Sequence, residues 1–229
     1  MELTTKELLP EISTLIKEVN NLADKIKMTI AAYDKNCGKF ADKFMQYDPY
    51  VTHVMEFADF LEHGFSILDI GCGPGNIAKQ LCEVKDLEIT GIDLSAEMLE
   101  LAKRNVPQGI FYLQDSRKAN FPPESFDAVM LSFSIVHLED EEAKSVLQNA
   151  VKWVRSGGYV YLSFMEGKPP GFETTSFSEQ PLYFNYFQEV EIRELLGLQG
   201  MECIRSVRQD YPEPDGSTIK DVFLFLKKR

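Results

Sequence analysis

The chain has 229 residues, is 44% hydrophobic and 26% charged, and carries a formal net charge of −12. That length supports one sizeable core, or a core with a small appended lobe. With no long basic run there is no phosphate-tracking surface for nucleic acid, and no apolar stretch approaches membrane-spanning length.

The N-terminus lacks a basic region followed by an apolar core, so no signal peptide is expected and the chain reads as cytoplasmic. Cys37, Cys72, Cys82 and Cys203 lack metal-ligand spacing. Neither a metal site nor a disulfide framework is therefore expected.

From Glu11 to Ile30, Ile12, Leu15, Ile16, Val19, Leu22, Ile26 and Ile30 recur at helical spacing. Such a stripe packs on its own domain or forms a dimer or partner contact. Tyr33–Ala41 follows, broken at Gly38, and Met45–Leu61 reads as a second amphipathic helix closed by Gly64.

The central stretch is Ser66-Ile67-Leu68-Asp69-Ile70-Gly71-Cys72-Gly73-Pro74-Gly75-Asn76. Apolar residues around one acid predict a buried parallel strand. The glycines predict a tight turn into a helix, where a ligand can approach the backbone with no Cβ in the way. Cys72 reads as a small residue filling that turn.

The body then alternates. Helix Asn76–Val84 precedes strand Leu87–Ile92, which ends in Asp93. Ser95 caps helix Ala96–Asn105. Strand Ile110–Gln114 ends in Asp115, strand Phe126–Leu131 follows, and helix Asp140–Arg155 leads through Gly157-Gly158 to strand Tyr159–Phe164. This period means parallel βαβ units with right-handed crossovers. Gly167–Leu182, with Pro169, Pro170, Gly171 and Pro181, reads as a long loop. After helix Glu189–Leu198, the strand-like Met201–Arg208 and Ile219–Lys227 predict an antiparallel pair at one sheet edge.

In an open parallel sheet, ligands collect outside the carboxyl ends of the strands. Asp69, Asp93 and Asp115 occupy consecutive such ends, and Asp93 lies twenty residues past Gly73, where a carboxylate can accept a ribose diol. Asp115 is placed to accept an exocyclic adenine amine, and Met98 to pack on the purine face. Each acid alone would also serve as a turn residue or helix cap. Together they point to adenosine.

Three stretches, Leu68–Gly75, Gly91-Ile92-Asp93-Leu94-Ser95 and Gln114-Asp115-Ser116, resemble the first motifs of class I S-adenosylmethionine-dependent methyltransferases. Phe126-Asp127-Ala128-Val129, Val154–Gly158 and the terminal strand pair are similar to later parts of that family. The resemblance runs from about Tyr33 onward. It implies an α/β, Rossmann-like three-layer sandwich with a mostly parallel seven-stranded sheet, order 3-2-1-4-5-7-6, strand 7 antiparallel. A helical cap or lid over residues 1–62 would precede a methyltransferase domain over 63–229. Gly71 and Gly73 would pass the methionyl part of S-adenosylmethionine, or of its product S-adenosylhomocysteine. Asp93 would hold the ribose, Asp115 and Ser116 the adenine, and Tyr33 the methionyl carboxylate, with Asp69, Asn76, Leu94, Met98 and Ser132 at the same site. Cys37 and Phe44 depart from the alanine and tyrosine expected near Tyr33.

A nicotinamide dinucleotide is the rival ligand, but its pattern wants a small residue at Asn76 rather than at Gly75. His137, after the fourth strand, is the candidate general base; packing on the cofactor or capping the next helix is the alternative. Glu166 is a further candidate. No Asn-Pro-Pro-Tyr sequence follows the fourth strand and no Pro-Cys pair is present, which with the acidic charge favours a small-molecule acceptor over nucleic acid. A protein acceptor stays open, as does a catalytically silent cofactor-binding protein. Phe172, Phe177, Tyr183, Phe184, Tyr186 and Phe187 either wall an acceptor pocket or cover the sheet edge. The segment through Tyr50 and the loop Gly167–Leu182 are expected to close over the cleft.

Overall fold

The computed structural model describes residues 5–213 and 216–229, with side chains from residue 25 onward. The stripe Ile12, Leu15, Ile16, Val19 and Leu22 lies outside the described side chains. No described helix is long and apolar enough to cross a membrane.

The sheet is built from β1 (Ser66–Ile70), β2 (Glu88–Asp93), β3 (Ile110–Leu113), β4 (Phe126–Ser132), β5 (Val154–Glu166) and, later in the chain, β8 (Met201–Pro212) and β9 (Thr218–Lys228). Its order is β3-β2-β1-β4-β5-β9-β8. Pairing is parallel from β3 to β5, while β9 runs antiparallel to both β5 and β8. The topology inferred from the sequence is thus present, with β8 and β9 as its sixth and seventh strands.

Alternation along β1 divides the core. Leu68 and Ile70 face a cluster with Val129, Leu131, Leu162 and Leu224, covered by α5 (Asp140–Trp153) and α6 (Glu189–Gly197). Ile67 faces the other side with Met130, Tyr161, Phe223 and Phe225, covered by α2 (Asp48–Ala58) and α3 (Asn76–Val84). A side-chain period of two on strands and an apolar stripe on each helix yield three layers. α4 (Ala96–Asn105) joins β2 to β3.

Two elements differ from expectation. The Gly167–Leu182 loop is largely an antiparallel hairpin, β6 (Gly171–Thr175) and β7 (Ser178–Phe184), paired from Gly171 with Phe184 to Thr175 with Ser178. Pro181 conceals it in the sequence, yet a two-stranded ribbon has outer edges where a missing N–H is tolerated. Likewise, Gly38 does not break the N-terminal helix, since α1 (Thr5–Phe44) runs through it. The helix departs from helical geometry at Asn36 (φ −114°, ψ 16°), whose Nδ2 donates to the Ala32 carbonyl at 2.8 Å and to Ser178 Oγ at 3.2 Å. A smaller shift occurs at α5, which ends at Trp153 because Val154 already pairs with Phe126.

α1 lies against β7 and α4 rather than on a sheet face. It therefore crosses above the carboxyl ends of the parallel strands.

Phe57 of α2 is fully buried, with ring centroids 5.4 Å from both Tyr161 and Phe225. Phe57→Ala is expected to cost about 3–5 kcal/mol of stability. Denaturant unfolding checks this, and a change under 1 kcal/mol would mean that α2 is not part of the core.

Candidate active site

β1 ends in a turn whose Gly71 and Gly73 have φ of +69° and +52°. The N–H groups of Gly71 and Cys72 both donate to the Ile92 carbonyl, at 2.8 and 3.1 Å, pinning the turn to β2. A Cβ on Gly71 would stand 2.5 Å from Ser134 Cβ. One on Gly73 would meet only Phe40 Cε1, at 4.0 Å. The first glycine is required by packing, and the second leaves open space above the backbone.

That space belongs to a cavity beneath α1. Tyr33, Gly71, Gly73, Asp93, Leu94, Met98, Asp115, Ser116, Ser132 and His137, all named from the sequence, line it together. Asp69 and Asn76 do not. Asp69 lies below the turn, 2% exposed, and Asn76 directs its Nδ2 toward the Phe44 carbonyl at 3.5 Å.

Asp93 accepts from the Gly73 N–H through Oδ2 (2.9 Å) and from the Ser95 N–H through Oδ1 (2.8 Å). Burial raises its pKa despite these bonds. Asp115 is gripped by Arg117: Nε donates to Oδ1 at 2.8 Å, a second guanidinium nitrogen to Oδ2 at 2.6 Å, and a third reaches Glu142 at 2.7 Å. Burial opposes ionisation of Asp115, but the guanidinium prevails and holds the carboxyl below its usual range.

On the α1 side of the cavity, the Tyr33 hydroxyl lies 2.9 Å from His137 Nε2, and His137 Nδ1 lies 2.8 Å from the Tyr183 carbonyl. A carbonyl can only accept, so Nδ1 carries the proton and Nε2 accepts from the phenol. Burial, partly offset by that carbonyl, lowers the His137 pKa to about 4.

Phe133, also lining the cavity, adopts a left-handed φ of 49°, secured by its N–H to the Ser163 carbonyl at 3.1 Å and by stacking on Tyr50 at 5.0 Å. Neither Arg117 nor Phe133 was singled out from the sequence. Arg117 had a signal, two residues past Asp115. Phe133 had none, because a bulky residue at positive φ follows no local preference.

Residues 67–158 match the family described as Methyltransferase domain. Phosphoethanolamine N-methyltransferase 3 of Arabidopsis thaliana is 31% identical over 115 residues, covering 47% of this chain and 23% of the relative. Ubiquinone biosynthesis O-methyltransferase of Proteus mirabilis is 32% identical over 118 residues, covering 49% and 46%. The chain thus spans under half the length of either. Among solved structures, a SAM-dependent methyltransferase from Methanosarcina mazei superposes with a TM-score of 0.65 at 19% identity, over 74% of this chain and 95% of that one. Over residues 67–158 the chain is thus similar to the methyltransferase-domain family, and its fold is that of S-adenosylmethionine-dependent methyltransferases.

The chemistry of the cavity fits the cofactor of such methyltransferases. Among the described residues it is lined by two carboxylates, Asp93 and Asp115, and by a single Arg or Lys, Arg117, which is already committed to Asp115 and Glu142. A diphosphate would meet no free cation there. A nucleoside bearing a sulfonium and an ammonium would meet acids. The buried Oδ2 of Asp69 and the Ser134 hydroxyl, on either side of the glycine turn, have no partner among the described residues.

Burial, reinforced by the nearby Asp93 charge, raises the Asp69 pKa from 3.8 to about 7. A carboxyl whose folded pKa is raised favours folding below its unfolded pKa and loses that contribution as pH rises through about 7. Asp69→Asn should therefore raise Tm more at about pH 8, where it removes a buried charge, than at about pH 5, where Asp69 is protonated. A Tm gain that is larger at the lower pH would contradict this assignment.

Proposed function

We propose that this chain transfers the methyl group of S-adenosylmethionine to a small-molecule acceptor enclosed beneath α1. The observation that carries the reading is the cavity itself: acids at the ends of β2 and β3, a glycine turn open above Gly73, and no uncommitted cation among the described residues.

Asp93 would hold the ribose diol with lone pairs not used by Gly73 and Ser95. Asp115, fixed by Arg117, would accept the adenine amine, with Ser116 beside it and Leu94 and Met98 against the ring. The turn through Gly71 and Gly73, open above Gly73, would take the methionyl part. Ser134 lines the cavity there with an unpaired hydroxyl, and Tyr33 lines it from α1. When bound, S-adenosylmethionine supplies an electrophilic methyl on a sulfonium. The chain's part is to align the acceptor and exclude water.

α1 and the hairpin β6–β7 perform the exclusion. Tyr33 stacks on Phe177 at 5.7 Å and meets Phe40 edge-on at 5.6 Å, closing the cavity roof. A cap over residues 1–62 ahead of a catalytic domain over 63–229 would leave the covering role to α1, since α2 is packed into the sheet core. The bond to the Tyr33 phenol and the low pKa make His137 an anchor for the roof rather than a strong base in this conformation. General-base action would require Tyr33 to move away.

The enclosed cavity favours a small acceptor over a macromolecule. The names of the two curated relatives refer to transfer to nitrogen and to oxygen, so both amines and phenols belong in the test panel. Calorimetry with S-adenosylhomocysteine is expected to show binding that Asp93→Ala weakens by about 2–3 kcal/mol. Gly73→Val, which fills the open space, is expected to abolish binding without unfolding the protein. Unchanged affinity in both variants would remove the glycine turn and Asp93 from the site. Tight binding with no S-adenosylhomocysteine released from S-adenosylmethionine across the panel would favour a catalytically silent cofactor-binding protein.

A further inference from the structure

Ser95 is the N-cap of α4, and its hydroxyl oxygen accepts from the Met98 N–H at 3.1 Å. Its own proton goes to another element. Ser95 Oγ donates at 2.6 Å to Asp34 Oδ1, on α1, and the same carboxylate oxygen receives the Glu97 N–H at 3.4 Å. A carboxylate from α1 thus completes the cap of α4, where unpaired N–H groups and the helix dipole favour negative charge. The Ser95 backbone N–H meanwhile donates to Asp93 Oδ1 at 2.8 Å. One residue therefore holds the roof acid by its side chain and the proposed ribose acid by its backbone.

The other side of α1 is fastened independently. Thr29 Oγ1 accepts from the Tyr183 N–H at 3.2 Å, Asn36 Nδ2 donates to Ser178 Oγ, and Lys25 pairs with Glu139 at 2.5 Å. α1 consequently spans the cavity from α4 to the hairpin, and Asp34 is the side-chain anchor on the α4 side.

We propose that Asp34 is a positioning residue for the cofactor: acting through Ser95, it couples closure of α1 to the carboxylate of Asp93. This rests on the cofactor reading above. Coupling is reciprocal, so a ligand held by Asp93 steadies α1 in its closed place, and a fastened α1 slows escape of that ligand. Cutting the Asp34–Ser95 link should loosen the ligand although Asp34 lies outside the cavity lining.

The test uses the full chain, S-adenosylhomocysteine as the probe, and the variants Asp34→Asn, Ser95→Ala and their combination. Asp34→Asn retains shape while removing the charge that makes Oδ1 a strong acceptor for Ser95 Oγ, which weakens the link. It is expected to weaken affinity roughly tenfold, chiefly through faster release, and to abolish the slowing of amide exchange that the ligand confers on residues 26–40 of the parent protein. In the Ser95→Ala background, Asp34→Asn should add nothing further, because the link is already cut. Full additivity of the two effects overturns the coupling. So does a lowered Tm with unchanged affinity and release, which would make Asp34 a cap alone. If the parent protein fails to bind the probe, the cofactor reading falls and this inference with it. Binding by the parent together with parent-like release from Asp34→Asn removes the inference alone.

Discussion

The site depends on one carbonyl. Ile92, at the end of β2, accepts both the Gly71 and the Cys72 N–H, which ties the turn after β1 to the neighbouring strand. Only in that position can Asp93, the next residue, reach the Gly73 N–H. The turn, the acid and the start of α4 then form one hydrogen-bonded unit that needs no ligand to hold it together. A site shaped beforehand loses less freedom on binding than one that must be assembled.

Charge is sorted within this unit. Asp69 and Asp93 lie close, and burial together with mutual repulsion raises the pKa of Asp69. Asp34 adds its own negative field to Asp93. One strand further out, Asp115, Arg117 and Glu142 are paired, which leaves Asp115 ionised and fixed. The turn end of the cavity thus retains uncompensated acid, while the outer end is balanced. That asymmetry suits a ligand whose positive charge is concentrated at one end.

The sheet was legible because its strands carry strong local signals. Ser66–Ile70 is apolar around one acid, each helix shows a clear stripe, and the acids at strand ends share a period. The hairpin was concealed by Pro169, Pro170 and Pro181, residues that ordinarily mark loops and are tolerated here because the ribbon has free edges. The break expected at Gly38 falls instead at Asn36, two residues away, where the side-chain amide is bonded to Ser178; glycine is the usual breaker, and a distant partner leaves no local signal. Arg117, Asp34 and the state of His137 depend on partners 25, 61 and 46 residues away in the chain. No window of neighbouring residues contains that information.

The hairpin β6–β7 forms a sheet of its own and, among the described residues, shares no strand pairing with the seven-stranded one. Phe177, at its tip, and Tyr183, in its second strand, reach the roof of the cavity, whereas the acids and the glycine turn come from residues 69–115. The two ends of the site are thus written in separate stretches of chain. Insertions or exchanges between β5 and α6 can remodel one end without disturbing the strand register beneath the other. Divergence at the roof can therefore proceed by replacement of a short ribbon, while the half built on the glycine turn and the strand-end acids stays unchanged.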